Sequence, residues 1–214
     1  MGMDWSEKKH RGKRRGYHHG NLKEALINAA LDLIAQKGPS GFTIAEAARA
    51  AGVSSAAPYR HFRDRDALME DIAQQGFVRF ESFLSNAWNK GKPDPQKALD
   101  NVGKAYLAFA RTEPAFYSAM FESGVSTSAQ PKLARASDQT FQVLQDAVDL
   151  ICADFPKNAR PPSRMVALHV WSLSHGIAAL FARGDEARRP LPMEPEDLLE
   201  AGILIYLQGL GLAD

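Results

Sequence analysis

Apolar positions recur at three- and four-residue spacing along most of this chain, and nowhere alternate with period two for long enough to make a sheet. The pattern predicts an all-α protein. Asp66 to about Lys90 carries Leu68, Ile72, Phe77, Phe80, Phe83, Leu84 and Trp88 around one side, and Gly91 and Pro93 end it. Asp94 caps a helix to about Arg111, with Ala98, Val102, Ala105, Tyr106 and Phe109 inward. A short aromatic helix follows over Glu113–Phe121, then a Ser/Gly-rich loop over Glu122–Ala129 and a helix from about Gln130 to Asp154. Three prolines make Phe155–Pro162 a connection. Ser163–Arg183 and Glu196–Leu210 are the last two helices, Pro195 opening the second.

Near the amino terminus the pattern is more specific. Thr43 is a hydroxyl N-cap, and Glu46 stands three residues on, where it can reach back to the cap's own N–H. Ile44, Ala47, Ala48 and Ala51 share one face, with alanines small enough for close helix approach. Gly52 ends this helix, Val53 plugs the corner, and Ser54 or Ser55 caps a second helix through Ala56, Ala57, Pro58, Tyr59, Arg60, His61 and Phe62. Pro58 is tolerable only within a first turn, so that helix starts no earlier than Ser54. Two short helices around a tight turn make a DNA reader: small residues enter a major groove, and Tyr59, Arg60 and His61 offer donors to phosphates and base edges. An ordinary αα-hairpin is the plainer alternative.

LKEALINAALDLIAQKG at Leu22–Gly38, GFTI at Gly41–Ile44, the AxxAGVS turn at Ala48–Ser54, YRHF at Tyr59–Phe62 and the charged start at Arg65–Leu68 together resemble the DNA-binding domain of the tetracycline-repressor (TetR) family. Many members have leucine where this chain has Pro58. The resemblance covers the first third of the chain. It implies that Thr43, Tyr59 and His61 meet phosphates, that Arg60 lies near bases with Ser54, Ser55 and Ala56 beside it, and that Arg65 clamps the DNA backbone. It also implies a carboxy-terminal ligand-sensing and dimerisation domain.

Charge supports this division. Residues 1–65 hold 12 Lys/Arg against 6 Asp/Glu, a net of +6, leaving 14 against 19, a net of −5. Six of the eight residues Lys8–Arg15 are basic, Arg14 and Arg15 among them. With glycines and no apolar periodicity, residues 1–20 read as a disordered arm, either a solubilising tail or a segment for phosphates and the minor groove. His18 and His19 lack further convergent ligands for a metal. Cys152, the sole cysteine, excludes an internal disulfide and a cysteine zinc finger. No apolar run approaches the ~20 residues of a membrane span, and a cytoplasmic location is expected.

The domains expected are the arm, a three-helix reader over 21–65 and a helical bundle over 66–214. In the bundle Phe83, Tyr106, Phe109, Phe116, Met120, Trp171 and His175 are candidate pocket residues, although an aromatic stripe also serves simply as core. Trp171, His175 and Gly176 resemble the Trp…His-Gly signature of one TetR subgroup. Either both rings point into a cavity, or His175 is a buried structural histidine and Gly176 permits a close helix crossing. Leu180, Phe181, Leu199, Ile203, Tyr206 and Leu210 suggest a four-helix dimer interface. No Gly-rich phosphate loop, HExxH or Gly-x-Ser-x-Gly occurs, so neither catalytic residues nor a cofactor nor a metal is expected. The expected function is a homodimeric repressor that leaves its double-stranded operator when a small-molecule inducer binds. An all-α ligand-binding protein or enzyme on the same fold, and a ligand-free architectural DNA binder, are the alternatives.

Overall fold

The computed structural model describes residues 22–128, 130–153, 155–156, 160–182 and 192–212, and among them no strand occurs. The basic arm, with Arg14 and Arg15, lies outside the described residues. Eight α-helices follow in order: α1 (Leu22–Lys37), α2 (Ile44–Ala50), α3 (Arg65–Trp88), α4 (Pro95–Thr112), α5 (Pro114–Phe121), α6 (Pro131–Ile151), α7 (Ser163–Ile177) and α8 (Pro195–Gly209). Four of them open on proline, whose fixed φ and missing N–H are harmless at the first helical position. That is why these prolines delimit helices rather than break them. The Asp94 carboxylate accepts from the Lys97 N–H at 2.8 Å as expected, and Asp64 does the same for Ala67, so α3 starts at Arg65 and not at Asp66. At the far end Asn89 and Lys90 take left-handed backbone angles, which stops α3 at Trp88, short of the predicted Lys90.

The predicted second helix of the reader is corrected. Residues 54–62 contain only a three-residue 3₁₀ turn, Pro58–Arg60, with i→i−3 bonds from Ala57 N–H to Ser54, Arg60 N–H to Ala57 and His61 N–H to Pro58 carbonyls. Pro58 supplies no N–H for the Ser54 carbonyl, and the segment's one i→i−4 bond runs from the Phe62 N–H to the Pro58 carbonyl at 2.9 Å. The serine caps are likewise corrected: no side chain caps this turn, and Ser54 contributes its carbonyl. Pro58 itself is buried with Phe62 beneath the turn. The predicted run Ser163–Arg183 also changes character, α7 giving way to a wider π turn at Ala178–Ala182.

Helix α3 is the spine: α4, α5 and α6 pack around it, α8 lies on α4, and α7 bridges α6 and α8. Gly76 of α3 allows the closest approach, since a Cβ there would lie 2.7 Å from the Met120 sulfur on α5. Gly103 of α4 serves α8 similarly, a Cβ meeting Leu199 Cδ2 at 3.0 Å. The Thr140 hydroxyl on α6 lies 3.0 Å from the Phe77 carbonyl on α3 and 2.9 Å from its own Ala136 carbonyl, so its one proton is satisfied inside the core. A single apolar core runs from Leu26 and Ala47 to Leu207, and α1 touches α5 directly. The reader therefore shares its core with the bundle.

Candidate functional site

Local backbone chemistry fixes the reader's first half. Thr43 Oγ1 accepts from the Glu46 N–H at 3.2 Å and the Glu46 carboxylate accepts from the Thr43 N–H at 2.8 Å, a reciprocal capping box. The Lys37 ammonium, 2.9 Å from Glu46, adds a bond from the end of α1. That bond, followed by the Thr43 N–H and hydroxyl, holds the Glu46 carboxyl down at about 2. At the other end Gly52 takes φ +70°, its N–H bonds the Arg49 carbonyl and the Val53 N–H bonds the Ala48 carbonyl, both at 3.0 Å. This is a Schellman closure, and it turns the chain sharply into the 58–60 turn.

Thr43, Ser54, Ser55, Ala56, Tyr59, Arg60 and His61 are all exposed around that unit. Tyr59 is 58% exposed although it is large and apolar in body, which contrasts with its buried neighbours Pro58 and Phe62. Arg65 stands apart. Its guanidinium donates through Nε to the Phe42 carbonyl at 3.1 Å and through Nη2 to the Pro39 carbonyl, pairs with Asp66 at 3.2 Å and lies 5.1 Å over the Phe42 ring. Two of its donor positions thus tie the α1–α2 loop to the start of α3, and a third pairs with Asp66 inside the first turn of α3.

In the bundle the seven candidate pocket residues fall into two groups. Tyr106 and Phe109 of α4 and Trp171 and His175 of α7 converge with Phe80 of α3. Ring centroids lie 4.8 Å apart for Phe80–Tyr106, 4.7 Å for Phe80–Phe109 and 5.5 Å for Tyr106–Trp171. Phe83 joins only through Phe109, at 5.3 Å, and is 37% exposed. Phe116 and Met120 occupy another face of α5, against Gly76, with the Arg79 guanidinium 4.5 Å over Phe116. Four residues outside the seven candidates complete the first group: Phe80, Tyr117, Phe121 and Phe141. Tyr117 and Phe121 share an i, i+4 face, the spacing that paired Trp171 with His175.

Within this group His175 Nδ1 lies 2.9 Å from the Tyr106 hydroxyl and 3.0 Å from the Tyr117 hydroxyl. Burial, followed by the charge and hydrogen bond of Tyr117, pushes the Tyr106 hydroxyl's pKa well up. A Cβ on Gly176 would meet nothing within 4 Å, so no helix crossing within the protomer needs this glycine. Of the expected interface residues Leu180 is exposed but Leu199 and Ile203 are buried against α4, and Met165, Leu168, Leu204 and Ile205 are further large exposed apolar residues of α7 and α8. Between α7 and α8 lies a cleft of about 510 Å³ lined by Val170, Leu173, Ile203 and the His169–Tyr206 pair, bonded at 2.7 Å.

A capped helix and Schellman turn presenting an exposed 3₁₀ segment, set on an all-helical bundle, define a helix-turn-helix transcriptional regulator of the bacterial type. The chain belongs to the tetR family of bacterial regulatory proteins: residues 26–72 match the family's DNA-binding model and residues 99–205 its tetracycline-repressor-like C-terminal domain. An uncharacterized HTH-type transcriptional regulator of Bacillus subtilis, YobS, is 22% identical over 198 residues, covering 89% of this chain and 93% of its own. Among solved structures, a Rhodococcus protein of unknown function is 27% identical with a TM-score of 0.73, covering 91% of this chain and 98% of its own. The Thermus thermophilus TetR-family regulator PfmR shares the fold at 19% identity and a TM-score of 0.64, covering 86% of this chain and 97% of its own. Among the described residues no helix is long and apolar enough to cross a membrane.

Proposed function

We propose that the protein is a homodimeric cytoplasmic repressor that leaves a double-stranded operator when an uncharacterised small molecule binds its bundle. The domains proposed are the arm (1–20), the reader (21–65) and the sensing and dimerisation bundle (66–214). The observation that carries the DNA side is the exposed set Tyr59, Arg60 and His61 on a turn whose apolar partners Pro58 and Phe62 are buried. Arg60 reads bases beside Ser54, Ser55 and Ala56, while Thr43, Tyr59, His61 and the arm residues Arg14 and Arg15 meet phosphates. Arg65 contributes mainly by holding the loop that presents Thr43. Dimerisation uses the exposed apolar side chains of α7 and α8, Leu168, Leu204 and Ile205 foremost, since large apolar side chains left in water on neighbouring helices suit a partner contact. The inducer lies among Phe109, Tyr106, Trp171 and His175, with Phe83, Phe116 and Met120 at the flanks.

The test is a titration on matched and scrambled operators found by footprinting the DNA beside the gene. Arg60→Ala is expected to lose about 1–3 kcal/mol of discrimination at particular base pairs, and Tyr59→Phe to weaken all sequences alike. Operator preference unchanged in both would remove the reader assignment.

A further inference from the structure

From the pairing of charges across the reader, and resting on the DNA-binding role proposed above, we infer that Arg49, in the last turn of α2, is a further DNA-binding residue. Its guanidinium holds a phosphate of the DNA backbone.

The described part of the reader, residues 22–65, carries the cations Lys23, Lys37, Arg49, Arg60, Arg63 and Arg65. Four of them are paired with carboxylates: Lys23 with Asp71 at 2.5 Å, Lys37 with Glu46 at 2.9 Å, Arg63 with Asp64 at 3.1 Å and Arg65 with Asp66 at 3.2 Å. Arg49 and Arg60 are exposed, and neither has a carboxylate at ion-pair distance among the described residues. Arg60 already belongs to the presented turn. Arg49 has no role in the fold.

Its isolation does not come from a lack of nearby acids. Glu46 stands three residues before Arg49 on the same helix, a spacing at which opposite charges ordinarily meet. Both of its oxygens are committed elsewhere. One takes the Lys37 ammonium at 2.9 Å, and the other accepts from the Thr43 N–H at 2.8 Å and the Thr43 hydroxyl at 3.1 Å. Asp64, four residues beyond Arg60, is occupied in the same way by the Ala67 N–H at 2.8 Å and by Arg63. Helix capping thus takes up the carboxylates nearest both arginines, and Lys37 and Arg63 offset the negative charge that would repel a phosphate.

The backbone sets the direction of the side chain. Ile44, Ala47 and Ala48 are buried, whereas Ala45 and Arg49, four apart, are exposed on the far face of α2. A helical side chain leans toward the amino end of its helix, so Arg49 extends over the small Ala45 toward Thr43, itself a phosphate contact of the proposed reader. The guanidinium keeps its charge at any working pH and presents a planar fork that matches two phosphate oxygens. Arg60 on the turn reads bases, and Arg49 on the helix behind it grips the strand.

The experiment is fluorescence anisotropy of the full-length protein with labelled matched and scrambled operator duplexes over a salt series. The proteins are the wild type, Arg49→Gln, Arg49→Lys and Lys92→Gln, with melting temperatures measured in parallel. Lys92 is exposed, unpaired among the described residues and beyond the far end of α3, so Lys92→Gln removes the same charge away from the reader. Arg49→Gln is expected to lower the slope of log K against log salt by about 1.8 for the dimer, at about 0.9 for the one phosphate of each protomer, on both duplexes alike. Arg49→Lys is expected to keep the slope, and Arg49→Gln to melt with the wild type because no internal partner is lost. An unchanged slope in Arg49→Gln, an equal loss in Lys92→Gln, a loss confined to the matched duplex or an early-melting Arg49→Gln overturns the inference. A wild type without preference for the matched duplex overturns the regulator reading instead, and the slope on scrambled DNA then still decides the role of Arg49.

Discussion

The reader and the aromatic core reach definition by opposite routes. Around α2 the decisive contacts span three to five residues of sequence: Thr43 with Glu46, Val53 with Ala48, Gly52 with Arg49. Around Phe80 they span tens of residues, His175 meeting hydroxyls 58 and 69 positions away. The first region is held by backbone groups that must be paired wherever they are shielded from water. The second is held by apolar area and ring geometry, which are non-directional except at one nitrogen. Arg65 is where the two meet, a side chain of the spine helix spent on two loop carbonyls 23 and 26 residues upstream.

If the core depends on collective packing, truncation at its hub is the severest change. Phe80 is fully buried and touches the rings of Tyr106, Phe109, Phe121 and Trp171. Phe80→Ala is expected to cost about 3–5 kcal/mol in chemical denaturation, and reader and bundle are expected to unfold together because α3 serves both. Two separated transitions would break the picture of one shared core.

Arg65→Lys tests the joint next. It keeps the positive charge and loses the fork that spans two carbonyls, so about 2 kcal/mol of stability is expected to go, on the scale of a hydrogen bond to a charged group. The slope of log K against log salt for operator binding is expected to stay unchanged, whereas removal of a phosphate contact lowers it by about 0.9. A lowered slope in Arg65→Ala with full stability would move Arg65 to the DNA.

Gly176→Ala gives a smaller effect of the opposite sign. No atom meets the added methyl within the protomer, and alanine is better than glycine inside a helix by roughly 0.5–1 kcal/mol. The variant is expected to melt slightly higher in the monomer. A dimer weakened by the same change, read by sedimentation, would place Gly176 in the partner contact.

The subtlest test is acid. Glu46 has its carboxyl depressed from 4.5 to about 2, so its contribution is fully present above 4.5 and is lost as pH falls from there through 2. Amide exchange in α2 is expected to quicken across that window in the native protein, and Glu46→Gln is expected to flatten the change because glutamine can still close the capping box.

What was legible follows from this difference in range. The Thr43–Glu46 box, the Gly52 turn and the Asp94 cap were each written in adjacent residues and stand as expected. Pro58 was legible as a constraint but not in its consequence: one missing N–H shortened an expected helix to a 3₁₀ turn. In the bundle, periodicity placed Trp171 and His175 on one face yet gave no sign that Tyr117 would meet them while Phe116 and Met120 turned to Gly76. Adjacent residues on a helix point about 100° apart, so a pattern lists the members of a core without assigning partners.

The sequence alone thus determined the helical class, most helix boundaries and the backbone closures of the reader, because those depend on hydrogen bonds between residues a few positions apart. Only the tertiary structure decided that Arg65 spends its guanidinium on the α1–α2 loop, that Leu199 and Ile203 face inward while Leu204 and Ile205 face out, and that two tyrosines share His175. Those outcomes depend on how α3, α4, α5, α7 and α8 rotate about their axes when they pack. That rotation is set by mutual exclusion of side-chain volume across the whole core, a condition no single segment contains.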